Sequence, residues 1–271
     1  MCSELFIPTA MNTYHVLVKA ERMGAILDRV VENGSVDVLS LAHEFGVSAA
    51  TVRRDLQALH HQGLLRRTHG GALPRPAGLE LPLQYKTSRQ HREKRAIGLA
   101  AAGLVRDGDV VGMTGGTTAT EVARALAERR GLTLVTNALN IAAELVSRPN
   151  IRLVVVGGNA RHASYELVGP AAETMIAQYH LDIAFIGTDG FTVAEGCTTH
   201  DEMEAHTDLS FISQAARTVV IADSTKVGKV RFARICGTDV IDTLVTDAGI
   251  DPAVRTAAEA ADVEVIVADQ Q

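Results

Sequence analysis

The sequence predicts two domains of different class: a small, mainly helical domain with a β-hairpin, followed by a larger α/β domain with a mostly parallel sheet. The length of 271 residues suits about two domains at ~150 residues each. Three helical periods of apolar residues and a short basic segment fill residues 19–75. Beyond residue 93, seven short apolar segments alternate with helical patterns, which is typical of repeated strand–helix units.

The composition is that of a soluble globular protein, with 46% hydrophobic and 21% charged residues. The longest mostly apolar segment, 96–105, is about half of the ~20 residues that span a bilayer, so no membrane partner is expected. The start of the chain lacks the basic segment and apolar core of a secretory signal. Three widely spaced cysteines, Cys2, Cys197 and Cys236, suit free thiols in a reducing cytoplasm better than a disulfide framework.

The charge is unevenly distributed along the chain. The net charge is -6, but residues 50–76 contain five arginines and one acidic residue. Residues 77–271 contain 18 basic and 25 acidic residues. A basic segment attached to an acidic body suits a regulated DNA-binding protein, although a protein of mixed charge can show the same pattern by chance.

Two helices are predicted at the start of the first domain. The first has apolar residues at helical spacing, namely Met23, Ile26, Leu27, Val30 and Val31. Asn33-Gly34 ends it, because glycine accepts the left-handed conformation at a helix terminus. Asp37 is the predicted N-cap of the second helix. The inward residues of that helix are Val38, Leu41, Ala42 and Phe45.

A third helix follows the tight turn Gly46-Val47-Ser48, with Ser48 as its N-cap. Its inward residues, Val52, Leu56 and Leu59, would pack on the first two helices. The residues left toward solvent are Ala49, Ala50, Thr51, Arg53, Arg54 and Gln57.

The outward residues of the third helix suit the major groove of DNA. Small residues at the start of a helix allow close approach, arginine can donate two hydrogen bonds to guanine or phosphate, and glutamine can pair with adenine. Ser48 and Thr51 can donate to phosphate oxygens. The alternative is a three-helix bundle that binds protein and leaves Arg53 and Arg54 as a solvated surface.

A basic hairpin is predicted after the third helix. Residues 64–71, LLRRTHGG, indicate a short strand, a basic tip and a glycine turn, which together form a wing. Arg66, Arg67 and His69 could contact the DNA backbone or the minor groove. The agreement of turn, cap, apolar spacing and basic wing favours the DNA-binding interpretation.

A linker and a larger domain follow. Several prolines, with Gly78, mark a linker over 76–92, and the larger domain covers 93–271. The predicted strands are 110–113, 132–135, 152–156, 183–186, 218–222, 243–246 and 263–267. The predicted helices between them are 121–130, 141–146, 171–179, 202–216 and 253–261. Parallel sheets of this kind bind ligands beyond the carboxyl ends of their strands.

Glycine-rich and polar loops follow the predicted strands. The first comprises Thr114, Gly115, Gly116, Thr117 and Thr118 and opens a helix, which suits a phosphate cradle. It lacks the lysine of a P-loop and the spacing of a dinucleotide site. The other candidate residues at strand ends are Thr136, Asn137, Gly157, Gly158, Arg161, Asp189, Gly190 and Lys226. Together they predict a site for a small anionic molecule. The alternative is a set of ordinary tight turns.

The segment 199–206, THDEMEAH, contains two histidines, but His200 and His206 do not share a helix face. The spacing therefore predicts no metal site. Instead, Thr199 and Glu202 are predicted to form a capping box at the start of a helix. His200 and Glu202 are candidates for hydrogen bonds to hydroxyl groups of the ligand.

Both parts of the chain resemble the DeoR family of bacterial sugar-metabolism regulators. Over 22–72, TVRRDLQAL followed by LLRRTHGGA resembles the winged helix-turn-helix of that family, with Val52 where the family usually has Ile. Over 94–247, GGTTATEVA, VTNALN, VVVGGNAR, AFIGTDGF and VVIADSTK resemble its effector domain. This resemblance implies a fold related to ribose-5-phosphate isomerase and binding of phosphorylated sugars. GCTTHDEMEA and SYELVGP look closer to members that respond to amino-sugar or galactose-type phosphates.

We therefore expect a transcriptional regulator, a repressor released from double-stranded operator DNA by a phosphorylated sugar. No cofactor is expected, and the protein would act as a dimer or tetramer in the cytoplasm, associated with the nucleoid. Residues 115–118 with Lys226 or Arg161 would bind the phosphate. The candidates for the sugar hydroxyls are Asn137, Asp189, His200 and Glu202.

Two other functions remain open at the level of sequence. One is a sugar-phosphate isomerase fused to a DNA-binding domain. Such an enzyme needs a carboxylate base, which residues 191–193, FTV, cannot supply, although Glu195 and Glu202 lie nearby in sequence. The other is an architectural DNA-binding protein without a ligand.

Overall fold

The computed structural model describes residues 18–74, 80–87 and 89–269, which divide into two compact units between Ser88 and Arg89. The helices of the first unit are α1 (Lys19–Asn33), α2 (Val38–Glu44), α3 (Ala49–His61) and α4 (Leu83–Lys86). Its strands are β1 (Val36–Asp37), β2 (Leu65–Arg67) and β3 (Gly71–Pro74), in one antiparallel sheet of order β1-β3-β2. This arrangement is a winged helix-turn-helix, as the sequence predicts.

The predicted caps of the first unit are confirmed. Gly34 ends α1 in the left-handed region with φ 70°. Asp37 accepts hydrogen bonds from the amides of the second and third residues of α2, and Ser48 Oγ accepts one from Thr51 N at 3.1 Å. These bonds satisfy helix N–H groups that have no partner within the helix.

The core of the first unit lies between α1, α2, α3 and the wing. Its fully buried side chains include Ile26, Leu56 and Leu59. The prediction for Val31 is wrong, because Val31 is 70% exposed. At 3.6 residues per turn it lies roughly a quarter turn from the centre of the buried face.

The predicted linker over 76–92 falls partly outside the described residues, which exclude 75–79 and 88. Its described part contains α4, which packs on α1. Leu83 and Tyr85 are buried, and Tyr85 joins the core of the first unit. The Tyr85 hydroxyl donates to Gln62 Oε1 at 2.9 Å. Residues 80–87 therefore belong structurally to the first unit, whereas residues 89–92 lie in the second unit and include the start of the next helix at His91.

The second unit is a three-layer α/β domain. Its helices are α5 (His91–Ala102), α6 (Thr117–Leu126), α7 (Leu139–Leu145), α8 (Pro170–Ile176), α9 (Glu202–Gln214) and α10 (Pro252–Glu259), with a 3-10 turn at Thr238–Val240. Its first strands are β4 (Val110–Met113), β5 (Leu132–Thr136), β6 (Ile151–Val155), β7 (Asn159–Arg161), β8 (Glu166–Val168) and β9 (Ile183–Gly187). The remaining strands are β10 (Gly190–Thr192), β11 (Gly196–Thr199), β12 (Thr218–Ile221), β13 (Ala233–Cys236), β14 (Thr243–Asp247) and β15 (Glu264–Ala268).

The central sheet has seven parallel strands in the order β15-β14-β12-β9-β4-β5-β6. These are the seven strands that the sequence predicts. Alternate side chains enter the two cores on either face of the sheet, since Phe185 lies in one and Ala184 and Ile186 in the other. Burial on both faces explains why the strands are apolar at most positions.

The strand order reverses direction beside β4. The chain proceeds from β4 to β5 and β6 on one side, whereas β9, β12, β14 and β15 lie on the other. The reversal opens a crevice beyond the carboxyl ends of β4 and β9, where open α/β sheets bind ligands. We call this the switch-point crevice.

The sequence did not predict five short strands that border the central sheet. β7 and β8 form an antiparallel hairpin, and β10, β11 and β13 form a three-stranded antiparallel sheet. Cys197 and Cys236 are free, buried and opposite each other in β11 and β13, whereas Cys2 lies outside the described residues. No helix in the described ranges is long and apolar enough to cross a membrane.

Candidate functional site

The outward face of α3 is open to solvent. Ser48, Ala50, Arg53, Arg54 and Gln57 are exposed, and Ala49 and Thr51 are half-buried. Val52, Leu56 and Leu59 are buried on the opposite side, so the predicted division of the helix is confirmed. The Ser48 and Thr51 hydroxyls lie 2.9 Å apart at the start of the helix.

The wing presents further basic side chains. Arg66 and Arg67 are exposed on β2 and His69 is exposed at the tip. Consecutive side chains of a strand point to opposite faces, so Arg67 shares the face of buried Leu65 and Arg66 occupies the other face. An exposed helix face and a basic two-stranded ribbon are the two elements with which winged helices contact DNA.

The loops after β4 and β9 meet in the switch-point crevice. Thr114 is buried, and its hydroxyl accepts a hydrogen bond from Gly187 N at 3.0 Å. Gly116 stands at the N-terminus of α6 with φ 107°, and no atom lies within 4 Å of the position that a Cβ would occupy. Thr117 and Thr118 form the first turn of α6. The free amides of this turn and the helix dipole favour an anion here.

Glu166 links the loops after β4 and β5. Its Oε1 accepts hydrogen bonds from Gly115 N at 2.7 Å and Asn137 Nδ2 at 3.4 Å. Glu166 is 3% exposed, and burial raises the pKa of its carboxyl. The hydrogen bond from Gly115 and the charge of Arg161 act in the opposite direction.

Arg161 is held by two carboxylates. Its Nη1 lies 3.0 Å from Glu204 Oε2, and its Nε lies 3.3 Å from Asp201 Oδ2. Burial opposes ionisation of Asp201, but the Glu204 amide and Arg161 lower the pKa of this carboxyl. The predicted capping box is wrong: Asp201 caps α9, and the Thr199 hydroxyl donates to Glu204 instead. Thr199 lies in β11 and pairs there, so it is too early in the chain to cap.

A second charged group closes the other side of the crevice. Lys226 Nζ contacts Asp189 Oδ1, and His200 Nε2 lies 4.0 Å from Asp189 Oδ2. Gly190 is required beside them, because a Cβ there would lie 2.4 Å from Lys229 O. The structure thus brings the side chains of Asp189, His200 and Lys226 together.

Other predicted residues occupy less central positions. Gly157 and Gly158 are exposed after β6, and Glu202 is exposed at the start of α9. Thr136 is buried, and its hydroxyl accepts a hydrogen bond from Ala138 N at 3.1 Å. These residues have structural or solvent-facing positions.

Sequence reasoning missed three buried carboxylates, Glu166, Glu204 and Asp208. Asp208 is 2% exposed, and burial, followed by the charges of Glu166 and Glu204, raises the pKa of its carboxyl well above the usual range. Glu166 and Glu204 lie in segments that resemble the family, SYELVGP and GCTTHDEMEA, but their spacing carries no signal. Among the described residues, no group of three or more histidines, cysteines and carboxylates is arranged to hold a metal ion.

The two units together define a class of protein. A winged helix-turn-helix with an exposed basic face is joined in one chain to an α/β domain whose switch-point crevice contains an open helix N-terminus. This combination is that of a DNA-binding transcriptional regulator with a sensor domain.

The chain belongs to the DeoR family. The family model described as DeoR C terminal sensor domain matches residues 89–248, and the model described as DeoR-like helix-turn-helix domain matches residues 22–74.

Curated relatives are similar over nearly their whole length. The HTH-type transcriptional regulator GlpR of Haloferax volcanii is 35% identical over 92% of this chain and 98% of its own. The putative aga operon transcriptional repressor of Escherichia coli O157:H7 is 33% identical over 92% of this chain and 93% of its own. The glycerol-3-phosphate regulon repressor of Escherichia coli K12 is 29% identical over 85% and 91%.

Solved structures show a partial likeness. Ribose 5-phosphate isomerase A of Neisseria gonorrhoeae aligns with a TM-score of 0.38 and 18% identity, covering 52% of this chain and 55% of that chain. The isomerase of Methanocaldococcus jannaschii aligns with the same TM-score and 20% identity, covering 51% and 55%.

Proposed function

We propose that the protein represses a carbohydrate catabolic operon and is released from operator DNA by a phosphorylated sugar. The observation that carries this proposal is the switch-point crevice, where an open helix N-terminus lies among buried polar and charged side chains. A relative named as a putative aga operon transcriptional repressor supports repression. One named as the glycerol-3-phosphate regulon repressor supports repression and a small phosphorylated ligand. A ligand changes DNA affinity only if it favours one arrangement of the protein over another.

In this proposal the phosphate binds at the start of α6, to residues 115–118. Lys226 or Arg161 would provide the cation that pairs with the phosphate. Either side chain would first have to leave a carboxylate with which it is now paired. Asn137, Asp189 and His200 would contact the sugar hydroxyls. Glu202 becomes a weaker candidate because it is exposed, whereas Glu204, two residues further along α9, is buried and contacts Arg161.

The operator would be bound by α3 and the wing, with Arg53, Arg54 and Gln57 toward the bases. We propose that the protein acts as a dimer or tetramer in the cytoplasm, because repeated or palindromic operators match symmetric oligomers. DNA at the nucleoid is its site of action in this proposal.

The same proposal assigns no catalytic activity to the sensor domain. An aldose–ketose isomerase needs a carboxylate placed to move a proton between neighbouring carbons. Glu195 and Glu202 are both exposed, and Asp189 is paired with Lys226. Conversion of a pentose or hexose phosphate into its isomer by the purified protein would overturn this assignment.

A mobility-shift assay on the protein's own upstream DNA tests the proposed function directly. The complex is titrated with a panel of pentose, hexose and amino-sugar phosphates, with the unphosphorylated sugars as controls. Release by a phosphorylated sugar alone is the expected result. A protein that binds DNA equally with and without every ligand would be an architectural protein, contrary to the proposal.

Replacing Arg53 or Arg54 by alanine should weaken operator binding. If the arginine contacts a guanine, we expect a loss of about 1–3 kcal/mol with relaxed sequence preference; if it contacts phosphate, the salt slope should fall by ~1. Titrations at several salt concentrations, on operator and scrambled DNA, separate the two. Arg29, which is bonded to Glu32 and Glu44, provides a control arginine whose loss should not matter. Unchanged binding by both variants would remove α3 from the interface.

Replacing Lys226 by alanine should leave operator binding intact and weaken the response to the effector. A hydrogen bond to a charged group contributes about 1.5–3 kcal/mol, so release should require roughly ten to a hundred times more ligand. Lys229 is exposed on the same loop and provides the matched control. A normal ligand response by the Lys226 variant would place this lysine outside the site.

A further inference from the structure

The phosphate cradle contains a built-in carboxyl group. Glu166 Oε1 accepts a hydrogen bond from Gly115 N at 2.7 Å. Gly115 directly precedes the residues whose open amides start α6. A Cβ on Gly115 would lie 2.5 Å from Glu166 Cγ, so glycine is the residue that lets this carboxyl lie against the loop. A phosphate on the next amides would therefore lie within a few ångströms of Glu166.

A buried acceptor beside Glu166 points to a ligand. Asn137 is 0% exposed and donates through Nδ2 to Glu166, yet its Oδ1 has no hydrogen-bond partner among the described residues. A buried acceptor without a partner is costly, and a ligand hydroxyl in the crevice would satisfy it.

The charged groups around Glu166 come from several elements. Arg161 lies opposite it in the β7–β8 hairpin, and α9 contributes Asp208 and Glu204. Asp189, with Lys226 and His200 beside it, lies across the crevice and also acts on Asp208. Arg161 is already engaged by Asp201 and Glu204. The charge of Arg161 thus acts on Glu166 itself, whereas Asp208 lies among the carboxylates Glu166, Glu204 and Asp189.

We propose that binding of a phosphorylated ligand in the switch-point crevice is coupled to protonation of Glu166. The inference rests on the proposed function. A phosphate is a second negative charge within about 4–6 Å of a carboxylate, and a like charge at that distance disfavours the ionised form. A protonated Glu166 removes this repulsion and gains an O–H donor toward the ligand.

The direction of the pH dependence follows from this coupling. Burial already raises the pKa of Glu166 in the free protein, and a bound phosphate raises it further. Ligand affinity should be constant below the free-state pKa, because Glu166 is then protonated with and without ligand. Between the two pKa values, affinity should fall by up to about tenfold per pH unit for one proton. Above the bound-state pKa it should level off.

Calorimetric titration with sulfate tests the coupling. Sulfate imitates the phosphate but stays a dianion from about pH 5 to 8, so the probe itself takes up no proton in this range. Histidine titrates in the same range and therefore needs a control. Titrations in buffers of different ionisation enthalpy count the protons taken up by the full-length protein. We expect uptake of a fraction of a proton, up to one, and tighter binding at the acidic end.

Two variants identify the group that takes up the proton. Glu166→Gln keeps an acceptor for Gly115 N but cannot titrate, so its sulfate affinity should be nearly independent of pH. His200→Gln should retain the pH dependence. Persistence of the uptake in Glu166→Gln would overturn the proposal. Its loss in His200→Gln would then assign the proton to the imidazole, and its retention in both variants would assign it to another buried carboxyl such as Asp208.

The wild-type protein alone also decides the question if a variant does not fold. Sulfate binding without proton uptake and with the same affinity at every pH would overturn the coupling and leave the proposed function standing. No sulfate binding at any pH would remove the anion site itself, and would count against the proposed function as well.

Discussion

Replacing Asp55 by alanine is expected to destabilise the winged helix-turn-helix by about 3–5 kcal/mol, because it leaves a buried arginine without its carboxylate. Arg22 Nε in α1 lies 2.7 Å from Asp55 Oδ2 in α3, and the two residues are 7% and 2% exposed. This pair ties the helix that would contact the bases to the first helix of the unit. Operator binding should be lost together with the fold of that unit.

The loss can be measured by urea unfolding of the full-length protein, with hydrogen exchange of the α1 and α3 amides as a local probe. The sensor domain should keep its protection, since it is a separate compact unit. An Arg22→Met/Asp55→Leu double variant should be much closer to wild type, because apolar residues of similar size can replace a buried ion pair. A loss below about 1 kcal/mol in Asp55→Ala would mean that the pair behaves like a surface ion pair.

Replacing Gly115 by alanine is expected to abolish or strongly reduce the effector response without affecting operator binding. The new Cβ would lie 2.5 Å and 2.6 Å from Glu166 Cγ and Cδ. Glu166 is buried and hydrogen-bonded, so the loop must move away from it or the carboxyl must leave the Gly115 amide. Overpacking of this kind costs about 1–3 kcal/mol, which is roughly tenfold to a hundredfold in ligand affinity.

Effector titration of the operator complex measures this change, and thermal unfolding confirms that the variant is folded. Gly157→Ala is the matched substitution, because no atom lies within 4 Å of its Cβ position. It should reduce the response much less than Gly115→Ala. Equal effects of the two variants would show that close packing against Glu166 is not what the site requires.

The DNA-binding unit could be predicted almost completely from the sequence. Caps and helix faces are local properties, since Asp37 and Ser48 bond to amides two or three residues away, and Val52, Leu56 and Leu59 share a face by spacing alone. The error at Val31 arose at the edge of such a face. The Arg22–Asp55 pair was missed because 33 residues separate its members.

In the sensor domain, too, local features could be predicted from the sequence and non-local features could not. Its seven sheet strands are apolar and alternate with helices, so their number and parallel arrangement follow from the pattern. β7, β8, β10, β11 and β13 have three or four residues each, too few for a period to appear.

The sequence predicted the candidate-site residues that lie in loops after the sheet strands. It missed the residues whose position depends on how distant strands pair. Glycine, threonine and asparagine after an apolar strand are visible in sequence. The contact between Glu166 and Gly115 spans 51 residues and exists only because the β7–β8 hairpin returns a carboxyl to the crevice. Whether that contact is functional is what the variants of Glu166 and Gly115 decide.

The burial of α4 has a practical consequence for dividing the molecule. A DNA-binding fragment that stops at residue 75 would lack Leu81 and Tyr85 and expose the apolar surface that they cover in the first unit. A fragment that continues to residue 87 retains this cover and the Tyr85–Gln62 hydrogen bond. Chimaeras that exchange sensor domains between relatives should therefore be joined after α4 and before α5, so that each module carries its own complete hydrophobic core.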